Sequence, residues 1–301
     1  MGWWATNYVL GGFLATVFAT YAVSHAWIGP GTGWQRGFWA PALLLSVVAL
    51  AYGAFTRNRP SDVGLHDIDE AATGDSTLPP LAGKPLLAGE QRMFLKMLSD
   101  PEVWAVAVGC AFSKIIRYSF LYWLPLYLTQ KAHYSVVEAG YTSSIYEFVG
   151  FGGAILAGYW SDKLMQSRRL PVAAMMFWGL ALMCWIHPWM AAAGHLGIAC
   201  SIALIGIMNF GPDTLLQGAA SQDVGARWGV GTASGFISGI GSVGQIFSPY
   251  LVAYLSGKFG WDSLFYGFVI LATVGGALLA TQWNREVPRE AATIEAKAVT
   301  L

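Results

Sequence analysis

Charge is what this sequence has least of. Only 11% of its 301 residues are Asp, Glu, Lys or Arg, against about 25% in soluble globular domains. So few charges cannot clothe a water-facing surface, which excludes a cytosolic enzyme and a disordered chain. The 17 cations balance 17 acids, so no net field attracts nucleic acid or another polyanion. Cysteine is scarce as well. Cys110, Cys184 and Cys200 fall in apolar stretches, lack metal-ligand spacing, and as an odd number give no disulfide framework. Period-two alternation is missing, which excludes strands. There is no nucleophile–base pair and no nucleotide loop: Gly150, Gly152 and Gly153 follow no strand and sit at membrane depth. The five histidines (His25, His66, His133, His187 and His195) read as loop or span-end residues. Neither a metal nor a cofactor is implied.

Apolar residues are abundant instead: 55% of the chain is hydrophobic, with 36 Gly and 14 Trp. A bilayer core of about 30 Å takes about 20 mostly apolar residues per helix. Eight stretches meet that length, roughly 2–24, 36–56, 101–128, 135–160, 170–192, 195–217, 229–255 and 262–283. The first is too long, and lacks the basic start, for a signal peptide. The class is an all-α polytopic protein of the lipid bilayer. The glycines of the first, fourth and seventh spans predict close helix approach. Trp123, Trp160, Trp185 and Trp189 lie near span ends and read as interfacial belts.

Lysine and arginine orient the spans. Residues 57–100, 161–169, 218–228 and 284–301 hold 12 of them, and the opposite side holds Arg36, Lys131 and Lys258. This bias predicts that the first set is cytoplasmic, with both termini inside. The spacing divides the chain into two helices over 1–56, a long cytoplasmic loop over 57–100, six helices over 101–283 and a tail over 284–301.

Ionisable residues inside spans cost about 2.5–3.5 kcal/mol each on the insertion scale and are functional candidates by default. Lys114 and Arg117 are three apart on one face of the third span. Glu147 lies in the fourth span and Asp213 in the sixth. Two cations on one buried face suit an anion: an Arg fork binds phosphate or carboxylate with two hydrogen bonds, and Lys adds a point charge. The alternative is structural ion pairing of the two cations with the two acids. Pairing is the favoured role for Glu147. Asp213 stands between pairing and a place near the cytoplasmic mouth. Tyr118, Tyr122, Tyr146, Asn209 and Gln245 are polar neighbours that can bind substrate hydroxyls.

A second constellation lies at a short turn, Gly158-Tyr-Trp-Ser-Asp162-Lys163 followed by Arg168-Arg169. The aspartate there can bind amides at a neighbouring helix N-terminus, while the basic residues anchor at lipid headgroups. Such a contact latches one conformation of a transporter.

This turn resembles the second-half loop signature of the major facilitator superfamily. More narrowly, residues 1–285 resemble the organophosphate:phosphate antiporters. The match is carried by Gly11-Gly12, Trp34-Gln-Arg-Gly-Phe-Trp-Ala-Pro-Ala42, Arg57-Asn-Arg-Pro-Ser-Asp-Val-Gly-Leu65, Arg117-Tyr118-x4-Trp123-x3-Tyr127-Leu128, Phe210-Gly-Pro212 and Gly231-Thr-Ala-Ser-Gly-Phe236. The resemblance implies a major facilitator fold, with eight of twelve helices present, corresponding to helices five to twelve. It implies exchange of a phosphate ester for inorganic phosphate by alternating access, in the cell (inner) membrane. Arg117 matches the helix-seven arginine that binds substrate phosphate, and Glu147 the acidic residue near it. Lys114 stands where the glycerol-3-phosphate transporter has tyrosine, Tyr122 replaces an acid, and Tyr8 replaces a pocket histidine. A charged pair found in helix eleven of the hexose-phosphate transporter is represented here by uncharged Gln245 and Ser248. The partner arginine of the family comes from helix one, so the four N-terminal helices are expected to be required. A sugar-phosphate sensor of the same fold and a truncated, non-functional remnant are the alternatives.

Overall fold

The computed structural model describes residues 2–26, 32–56 and 88–284, with side chains described from residue 10 in the first stretch and from residue 93 in the third. Ten α-helices occur among the described residues. They are α1 (Gly2–Ser24), α2 (Gly33–Phe55), α3 (Ala88–Leu98), α4 (Pro101–Gln130), α5 (Val136–Tyr159), α6 (Arg169–Ala192), α7 (His195–Thr214), α8 (Ser221–Trp228), α9 (Val230–Phe259) and α10 (Trp261–Ala280). Short π-helical turns extend α5 over Trp160–Leu164 and join α7 to α8 over Leu215–Ala220. No strand occurs among the described residues.

The eight apolar stretches are the eight long helices. Among the described residues, six segments are long and apolar enough to cross a bilayer: α2, α4, α6, α7 with α8, α9 and α10. α5 falls short because Glu138, Glu147 and several Ser and Gly residues dilute its apolar side chains. Helix ends follow local chemistry. Ser135 caps α5 and Glu138 reaches back to the Ser135 amide at 2.9 Å, forming a capping box. Gly194, Gly229 and Gly260 precede α7, α9 and α10 with φ of 90°, 88° and 84°, a region other residues rarely enter. Arg36 of α2 donates to the carbonyls of Ala22 and Val23, closing the open C-terminal turn of α1.

α4, α5, α6, α7, α9 and α10 form one bundle, in which α4 packs on α9, α5 on α7, and α6 on both α7 and α10. α1 lies along α5, and α2 packs on α1. Leu43, Leu44, Leu45, Leu50 and Phe55 leave α2 with a broad exposed apolar face, as a lipid-facing helix requires. The stretch 57–100 is not wholly loop: α3 ends it, and Met97 is fully buried. Residues 57–87 and the tail from 285 lie outside the described residues.

The glycines divide sharply. A Cβ at Gly153 would strike the Ile207 backbone, and one at Gly244 would come within 2.6 Å of the Ala111 carbonyl oxygen. Gly150, Gly12 and Gly241 are similarly tight against Phe210, Glu147 and Cys110. Gly11, Gly152, Gly158, Gly231, Gly235 and Gly239 meet nothing within 4 Å. Of the glycines named, close approach therefore applies to one of two on α1 and to two each on α5 and α9, not to whole runs. Helix rotation decides which.

Candidate anion site and end clamps

α4 begins where it does because Asp100 caps it. The Asp100 carboxylate accepts from the Glu102 amide at 2.9 Å, and Pro101 needs no partner in the first turn. From there a buried stripe runs through Val103, Val106, Ala107, Cys110, Ser113, Arg117, Phe120 and Leu124. Apart from the adjacent Val106 and Ala107, steps of three and four keep it on one side. The two intramembrane cations lie on that stripe, with Lys114 only 7% and Arg117 8% exposed.

Arg117 donates through Nη1 to Oδ2 of Asp213 on α7. Its guanidinium lies over the Phe210 ring, 4.3 Å from the centroid. Phe210 stands edge-on to Tyr146, with centroids 5.2 Å apart. Asn209 donates to the Tyr146 hydroxyl at 2.7 Å, and Tyr146 stacks on Phe120 at 5.3 Å. Asp213 accepts a second hydrogen bond from Gln217, one turn on. Pro212 has no N–H to offer the preceding turn, and the π-turn begins three residues later.

Lys114 differs. Its stem lies against α9 where Gly241 has no side chain; a Cβ there would come within 3.2 Å of Lys114 Cδ. Among the described residues, no carboxylate lies within ion-pair distance of its ammonium. The acid expected to pair, Glu147, turns to α1 instead. Thr16 donates to Glu147 Oε2 at 3.2 Å, and the bare Gly12 accommodates the other oxygen. Among the described residues, Asp213 forms an ion pair with Arg117, and Glu147 is bonded to Thr16. Asp213 is buried within the bundle, 2% exposed.

The neighbouring polar residues separate in the same way. Tyr146 and Asn209 are buried and bonded to each other, and Tyr146 packs against the Phe210 ring on which the guanidinium lies. Tyr118 and Tyr122 pack together at 5.7 Å, with Tyr122 exposed. Gln245 is half-buried on α9, and the adjoining Ser248 bonds Ser119 at 2.8 Å across the α4–α9 contact. The side chain of Tyr8 lies outside those described.

At the basic end, Asp162 takes Arg169 as its partner, not helix amides. Arg169 also donates to Ser161 at 3.0 Å and lies 3.6 Å from Asp223 on α8. Arg169 is therefore held by protein partners; like Arg168 it is half-buried, while Lys163 is exposed. Gly158 has open space around it. A second clamp went unread in the sequence. Arg227 bonds Glu102 at 2.8 Å and lies 3.9 Å from Asp100, and Trp228 donates to Asp100 at 3.2 Å. It ties the start of α4 to the end of α8. Charged residues in two short connections were the available signal; their pairing depends on tertiary contact.

His187 also departs from expectation. It is fully buried within α6, bonded at 2.8 Å to both Tyr127 and Ser201, with its ring 3.9 Å from that of Phe265.

Residues 1–230 match the Major Facilitator Superfamily. The chain belongs to this family. It is an integral, multi-pass membrane protein of all-α major facilitator fold. It is 24% identical to the glycerol-3-phosphate transporter of Bacillus subtilis over 94% of its own length and 63% of that protein's. It is also 24% identical to a probable hexose phosphate transport protein of Chlamydia pneumoniae, over 93% of its own length and 62% of the other. The chain spans about three fifths of the length of these curated relatives.

Proposed function

We propose that this chain provides the substrate-binding part of a transporter that exchanges a phosphate ester for inorganic phosphate by alternating access. The observation that carries the reading is the Lys114–Arg117 face. Two cations sit inside a membrane bundle, and among the described residues Lys114 faces no ion-pairing carboxylate. An uncompensated ammonium in a low-dielectric setting is costly, and a phosphate group is what offsets it. Arg117 supplies a fork for two phosphate oxygens and Lys114 a point charge. The similarity to glycerol-3-phosphate and hexose phosphate transporters supports the ester class.

In this reading 1–56 completes one helical bundle, 101–283 is the other, and 57–100 joins them on the cytoplasmic side. The basic end, with 12 Lys and Arg against 3, faces the cytoplasm of the inner membrane. The Arg169–Asp162–Asp223 and Arg227–Glu102 clusters hold that end in one of two packings, and Glu147 with Thr16 links α5 to α1. Tyr118, Tyr122 and Gln245 contact the ester.

The test is exchange of labelled phosphate in phosphate-loaded proteoliposomes. Arg117→Lys keeps the charge but loses the fork and the stacking on Phe210. We expect exchange to fall to the protein-free level; exchange at the unsubstituted rate would overturn the assignment.

A further inference from the structure

We infer that Asp213 is a built-in stand-in for the substrate phosphate: it occupies the edge of the Arg117 guanidinium and must be displaced for phosphate to bind. This rests on the anion-site reading above. Three observations carry it. One face of the guanidinium is covered by Phe210 at 4.3 Å, and Phe210 is held by the Tyr146–Asn209 pair. The plane of the guanidinium is therefore set by the ring beneath it. Asp213 already bonds Nη1, where an oxyanion would dock. The carboxylate also has a second partner, Gln217, which retains it on α7 when Arg117 is taken.

The two acids near this site thus divide their work. Glu147 is engaged with α1 through Thr16, whereas Asp213 competes directly with the ligand. Displacement has a structural consequence as well. Asp213 lies just before the π-turn that joins α7 to α8, and α8 carries Asp223 and Arg227 of the end clamps. Taking Arg117 away from Asp213 thus loosens α7 where it leads into the latch. Single-turn π-segments are rare and recur at functional sites.

The test is binding of inorganic phosphate to the purified full chain, by calorimetry, for the unsubstituted protein, Arg117→Gln and Asp213→Asn. Removing a competing anion tightens binding, so Asp213→Asn should lower Kd at least tenfold, while Arg117→Gln abolishes binding. A purely structural Asp213 would give weaker binding on substitution, so the sign decides. Loss of binding in Arg117→Gln with no tightening in Asp213→Asn overturns the stand-in and leaves the anion site intact. No binding by the unsubstituted protein, or full binding by Arg117→Gln, overturns both. Should Asp213→Asn fail to fold, infrared spectra of protein labelled with ¹³C-aspartate give the answer. A carboxylate band must shift on phosphate addition, and a spectrum without such a shift overturns the inference.

Discussion

Two adjacent glycines on α5 permit an unusually direct test of the packing. Gly153 faces α7, and an added Cβ would lie 2.6 Å from Ile207 Cα and closer still to the Ile207 carbonyl oxygen. Both atoms are backbone, so no side chain can swing aside; the helices must separate. Gly152 points the other way, with nothing within 4 Å. Overpacking costs about 1–3 kcal/mol, with rigid obstacles at the upper end. Alanine in place of glycine in a helix returns about 1 kcal/mol. Gly153→Ala should therefore lose about 2 kcal/mol net, and Gly152→Ala should gain up to about 1 kcal/mol. At about 2–4 °C per kcal/mol for a chain of this size, Gly153→Ala melts about 4–8 °C lower and Gly152→Ala up to about 4 °C higher. Thermal unfolding of the detergent-solubilised protein, followed by tryptophan fluorescence, reads both. Equal shifts for the two variants, or a Gly153→Ala protein as stable as the parent, would refute the α5–α7 contact as described.

Two further expectations concern parts outside the anion site. His187→Leu leaves the buried Tyr127 hydroxyl without the partner it has at 2.8 Å, which costs about 1–3 kcal/mol; adding Tyr127→Phe should restore part of the loss, and a His187→Leu protein that unfolds at the parent temperature would contradict the network. Arg227→Ala removes the 2.8 Å bond to Glu102 from a guanidinium that is partly exposed, so the cost is about 1 kcal/mol. The deficit should shrink in 1 M salt, where the screening length is about 3 Å; a salt-independent difference would mean that packing, not charge, ties α8 to α4.

The sequence by itself determined the solvent this protein lives in and the run of its long helices. Length and hydropathy suffice for that, because every backbone polar group in a bilayer must be satisfied inside its own helix. It also determined that Lys114 and Arg117 share a face, since spacing along one helix is a local property. Tertiary structure alone decided how charges on different helices meet. In one dimension either Asp213 or Glu147 can pair with the cations, and pairing is favoured for Glu147; the rotation of α7 and α5 gives the first to Arg117 and the second to Thr16. The same rotation packs Gly153 tightly and leaves Gly152 in the open. The packing of α8 on α4 brings Arg227 to Glu102 across 125 positions of sequence, and the packing of α6 with α4 and α7 buries His187 between Tyr127 and Ser201. Neighbours along a helix follow from a period of 3.6 residues, but the angle at which one helix presents itself to another is set by the packing of all of them.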